Sequence, residues 1–112
     1  MNIRFVYLYR DAGNFKNWGE VIFENPRAAE PQRITETVDS FLFAQYFFNA
    51  SKAGVPDLHF PDHDYELDHE WHELYSFEAT DDPPNDPQGR DIDRFLESLK
   101  LASEVHLPGI DG

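Results

Sequence analysis

From residue 3 to residue 10 the chain alternates: Ile3, Phe5, Tyr7 and Tyr9 fall on one side, Arg4, Val6, Leu8 and Arg10 on the other. A period of two in β-branched and aromatic residues predicts a strand, and apolar side chains on both sides predict a central one. Residues 19–24 repeat the pattern, with Val21 and Phe23 set against Ile22 and Glu24. The turn chemistry of Asp11-Ala12-Gly13-Asn14 lies between them, and Asn25-Pro26 closes the second strand. Pro31 suits the first turn of a helix, after which Ile34, Val38, Phe41, Leu42 and Gln45 recur at helical spacing. Asp39-Ser40 leaves two readings open: one helix, or a second one over residues 44–52. Gly54 would be the C-cap and Pro56 the stop.

Residues 55–68 read as an acidic loop with a short extended piece at 58–60. Residues 70–80 read as a third strand, with Trp71, Glu73, Tyr75, Phe77 and Ala79 on one face and His72, Leu74, Ser76, Glu78 and Thr80 on the other. A Pro/Asp-rich loop spans 81–89. Asp91 then caps a last helix whose Ile92, Phe95, Leu96 and Leu99 form one stripe, and residues 105–112 should fray.

The order β-β-α(α)-β-α predicts an α+β fold over a single acidic domain, residues 1–112. It comprises a small antiparallel sheet of about three strands with two or three helices on one face. Helices so placed leave the opposite face to Tyr7, Tyr9, Phe23, Trp71, Tyr75 or Phe77. That face would either meet a partner, including a second copy of the chain, or lie under loop 55–68.

Charge changes this picture more than composition does. The formal net charge is −13. Residues 1–56 hold six acids and six bases; residues 57–112 hold sixteen acids and three bases. Between Lys52 and Arg90 there is no lysine or arginine, but there are eleven acids, and four of the five histidines lie among them. A field of one sign repels nucleic acid and anionic membrane and attracts cations or basic protein surfaces. Aromatic residues make up 15% of the chain, more than a disordered acidic tail would carry, so the charge sits on a folded protein. The absence of cysteine excludes disulfides, thiolate catalysis and cysteine-based zinc sites. The chain starts directly on a strand pattern and has no long apolar run, so the cytoplasm is the expected location.

The segment Tyr9-Arg10-Asp11-Ala12-Gly13-Asn14-Phe15-Lys16 resembles the opening of a group of small bacterial proteins, and Asp68-His69-Glu70-Trp71-His72-Glu73 resembles a stretch near their third strand. The resemblance implies a bacterial or phage-borne single domain and transfers no activity.

Three constellations carry chemistry. His59, His63, His69 and His72, interleaved with acids, suit Zn, Mn, Fe or Ni, although their spacing is not His-Glu-x-x-His; His63, His69 and His72 are the candidate ligands. His69 and His72 converge on a helix but diverge on a strand, so solvated loop histidines are the competing reading. Glu73, set among aromatic residues, should pair with an arginine, accept hydrogen bonds from Tyr or backbone, or carry a raised pKa, with Arg4 or Arg10 as candidate partners; a catalytic acid or base and a solvent-facing edge position stay open. Arg10, Asn14 and Lys16, beside Asp11, surround a turn that could take an anion, although Asp11 and Asn14 could equally serve the turn itself. None of the serines lies in a nucleophile-elbow context.

The favoured expectation is a non-enzymatic acidic binding protein of the immunity, antitoxin or phage-inhibitor kind, mimicking nucleic acid on a basic protein surface. Asp57, Asp62, Asp64, Glu66, Asp68, Glu70, Glu73, Trp71, Arg10, Asn14 and Lys16 would form the contact. Such a protein needs no cofactor. The alternative is a small hydrolase or nuclease using a divalent metal ion on segment 57–73.

Overall fold

The computed structural model describes residues 1–42, 46–60 and 71–103. Four antiparallel strands form one sheet: β1 (Asn2–Arg10), β2 (Lys16–Phe23), β3 (Phe47–Phe48) and β4 (His72–Thr80), in the order β2-β1-β4-β3. Helices α1 (Pro31–Asp39), α2 (Ala50–Ala53) and α3 (Ile92–Ala102) complete an α+β architecture. As its two-sided apolar pattern requires, β1 is central, pairing with β2 on one side and β4 on the other.

Ile3, Phe5, Tyr7 and Tyr9 all point to the helical side and are buried. Phe5 is the hub, with ring centroids 4.9 Å from Phe95, 5.1 Å from Tyr7 and 5.2 Å from Phe77. Ile34 and Val38 of α1, Ala50 and Ala53 of α2, and Ile92, Phe95 and Leu99 of α3 close over this face. Burying a side chain of this size stabilises by about 1.5–3 kcal/mol. The expectation that Tyr7, Tyr9, Phe23 and Phe77 lie on an open face is therefore corrected: they are the core.

A β-bulge produces the second correction. Val6 pairs with Ser76, but Tyr7 pairs with Leu74, so Tyr75 has no partner across the ladder. The extra residue reverses the alternation. Phe77 faces inward beside Phe5, whereas Glu73 lies outward beside Leu8. Strict alternation had placed Glu73, Tyr75 and Phe77 together. Trp71 precedes the strand and is half-buried.

The region 31–54 resolves into α1, a two-residue strand and a single helical turn. Residues 43–45, which include the start of the expected second helix, lie outside the described residues. Phe48 is fully buried, β3 takes the open edge of β4, and the Asn49 amide donates to Ala102 O. Core packing and ladder pairing thus override helical spacing. Asn49 then caps α2 by accepting from Lys52 N at 3.1 Å, and Gly54 ends it at φ 76°, a left-handed conformation in which a Cβ is strained.

The chain leaving α2 is held by Arg90. Its guanidinium donates to Ala53 O at 2.6 Å and Gly54 O at 3.0 Å, and meets Asp86 through Nε at 2.8 Å and Nη2 at 3.0 Å. The Asp86 and Arg90 side chains are 1% and 8% exposed. Asp91 caps α3 as expected, accepting from Arg94 N at 2.9 Å.

Candidate functional site

Loop 55–60 lies on the helical side of the sheet, against the ends of β1 and β4. Four contacts fix it. Tyr7 Oη donates to Pro56 O at 2.7 Å, Asn17 Nδ2 donates to Leu58 O at 3.0 Å, and Leu58 N donates to His72 Nε2 at 2.9 Å. Leu58 also packs over Gly19, where a Cβ would approach both Leu58 methyls at 3.1 Å. Burial, and then the nearby Asp57 charge, push the Tyr7 phenol well above its ordinary pKa, so it stays a donor.

This clamp brings three ligand-type side chains together. His72, at the first position of β4, is buried between Tyr9 and Phe48, and its ring centroid is 5.2 Å from that of His59. Asp57 Oδ1 accepts from His59 N at 2.8 Å and lies 3.1 Å from His59 Nδ1 and 3.5 Å from His72 Nε2. One donor atom from each of Asp57, His59 and His72 falls within 4.8 Å of the others. Of the ligand set read from the sequence, His72 belongs to this cluster, while His63 and His69 lie outside the described residues. Asp57, read as a docking acid, and His59, one of the four clustered histidines, join His72 among the described residues. Spacing could not show this, because loop 55–60 reaches β4 through contacts with Tyr7, Asn17 and Gly19, far away in sequence.

No family model, curated protein or solved structure matches this chain.

The Arg10 turn is built for its own geometry. Asp11 Oδ1 accepts from Phe15 N at 2.9 Å, and Asn14 adopts φ 67° while its Oδ1 accepts from Arg10 Nη1 at 2.7 Å. Arg10 Nε also donates to Glu73 Oε2 at 3.2 Å, the ion pair expected for Glu73. These two bonds hold the Arg10 side chain between the turn and β4. Lys16 is exposed at the start of β2. Asp62, Asp64, Glu66, Asp68 and Glu70 lie outside the described residues.

The outer face of the sheet carries Tyr75, as expected of the face away from the helices, together with Trp18, which the sequence reading missed. Trp18 and Tyr75 are 49% and 63% exposed, and their rings meet edge to face at 5.0 Å across β1. Val6, Trp18, Gly19 and Glu20 line an open depression of about 250 Å³ beside them. Next to it Arg4 lies 3.0 Å from Glu20, 3.5 Å from Glu78 and 2.7 Å from Asp82, one cation among three partly exposed carboxylates. Trp18 opposes Leu8 in register and Glu20 opposes Val6, a proximity legible once β2 begins at Lys16 rather than Gly19. The Tyr75 position needed the bulge.

Among the described residues no helix is long and apolar enough to cross a membrane.

Proposed function

We propose that this protein is an acidic docking module whose outer sheet face binds a basic protein surface, of the kind that otherwise holds nucleic acid. The observation that carries the reading is the exposed Trp18–Tyr75 pair beside the carboxylates around Arg4. Amphipathic aromatic residues give large contact area for little conformational entropy, and they dominate hot spots. Glu20, Glu78 and Asp82 outnumber Arg4, so a partner's arginine finds both a ring to stack on and a carboxylate to pair with. A depression of about 250 Å³ is below the roughly 300–1,000 Å³ of small-molecule pockets, which favours a macromolecular contact. The remaining negative charge supplies long-range steering, and hence on-rate and salt dependence.

The test is capture of partners on immobilised protein at low and high salt, comparing wild type with Trp18→Ala and Tyr75→Ala. The reading expects a basic partner, released by salt and lost with either variant. Partners that bind both variants as tightly as wild type would place the contact elsewhere and end it.

A further inference from the structure

We propose that Asp57, His59 and His72 form a divalent-metal site of the two-imidazole, one-carboxylate type, suited to zinc, in which the metal competes with the Leu58 amide for His72 Nε2. The site goes beyond the docking reading and lies on the opposite side of the sheet from Trp18 and Tyr75.

The donor set comes first. Imidazole and carboxylate together suit zinc and its neighbours, and three protein ligands leave a coordination position for water. Zinc bonds of about 2.0–2.2 Å to nitrogen and oxygen require tetrahedral ligand separations of about 3.3–3.5 Å. Asp57 Oδ1 already stands 3.1 Å from His59 Nδ1 and 3.5 Å from His72 Nε2. All three donors lie within 4.8 Å of one another, so a small local adjustment of the donors, with the Leu58 amide displaced from His72, completes the triangle. Exposure of the side chains grades from 1% at His72 through 17% at His59 to 45% at Asp57, giving a fixed inner wall and an outer side open to solvent.

The hydrogen bonds define what must change. His72 Nε2 accepts from Leu58 N, which puts the proton of the neutral ring on Nδ1 and leaves Nε2 as the lone-pair nitrogen. That lone pair serves the amide or a metal, but not both. Asp57 Oδ1 has two lone pairs, so it can hold the His59 amide and still ligate. Metal uptake therefore releases one identifiable contact of the loop clamp, while the Tyr7 and Asn17 bonds to Pro56 and Leu58 can persist.

The experiment is titration of Zn²⁺ into the chelator-stripped full chain by calorimetry, with ¹⁵N NMR on the same sample. The expected result is one equivalent bound, with the Leu58 amide among the most shifted and faster to exchange. His59→Ala and Asp57→Asn, each checked for native fold by NMR, should weaken binding by more than the roughly 10–100-fold lost with an outer-shell partner. The double variant His63→Ala/His69→Ala should bind as wild type does. The proposal is overturned if Zn²⁺ fails to bind, or if binding leaves the Leu58 amide unmoved. It also falls if the His63/His69 variant loses the site while His59→Ala keeps it.

Discussion

Replacing Asp86 by alanine would strand a buried cation at the entrance to loop 55–60. Asp86 takes three hydrogen bonds from Arg90, through N, Nε and Nη2 at 2.8–3.0 Å. Arg90 would keep its bonds to Ala53 O and Gly54 O and its place 5.3 Å over the Phe95 ring. It would lose its only carboxylate contact among the described residues. Removing one member of a buried pair costs about 3–5 kcal/mol, against about 0–1 kcal/mol for an exposed one. The carbonyl bonds and ring contacts that survive favour the lower end, about 3 kcal/mol. At about 4 °C per kcal/mol for a chain near 100 residues, Tm should fall by about 12 °C. Urea denaturation of wild type, Asp86→Ala, Arg90→Met and the double variant measures both the loss and the coupling between the two residues. The double variant should be less destabilised than the two single losses combined. A cost below about 1 kcal/mol for Asp86→Ala would show that the pair behaves as a surface pair, and the argument that Arg90 anchors the loop would fail.

The same pair sets an acid limit. Burial raises the Asp86 pKa, but the hydrogen bonds and charge of Arg90 outweigh it and hold the carboxyl below its ordinary range. A depressed native pKa gives stability that is complete above the unfolded value of about 3.9 and is lost as pH falls below it, so Asp86→Asn should flatten the stability profile below pH ~4. Glu73→Ala removes a pair whose side chains are 14% and 38% exposed, and thermal denaturation should show a cost between the two limits, about 1–2 kcal/mol. Gly54→Ala puts a Cβ on a residue at φ 76°, against the Gln88 side chain and the Arg90 guanidinium; a loss of about 1 kcal/mol or more in a urea titration is expected, and no loss would mean the turn rearranges. Trp18→Ala and Tyr75→Ala, at exposed positions, should each shift stability by no more than about 0.5 kcal/mol, so a melting curve near wild type must accompany any loss of partner binding.

What the chain determined alone was local chemistry. The two-sided pattern of residues 3–10 identified the central strand, Pro31 and Asp91 marked helix starts, Gly54 marked an end, and Glu73 called for an arginine. Each of these follows from backbone conformation, or from the cost of leaving a charge unpaired within a few ångströms. Three other features required the tertiary structure. The bulge at Tyr75 turned Phe77 into the core and left Tyr75 beside Trp18, because one unpaired residue reverses a period-two pattern without changing composition. Phe48 left helical spacing for a strand edge because the buried space beside Phe5 and Tyr7 rewarded it more. The Asp57–His59–His72 cluster exists because Leu58 seats on Gly19 and Tyr7 and turns the loop back onto β4. Alternation and capping are properties of neighbours in sequence, whereas a ligand triangle depends on which distant surfaces a loop packs against.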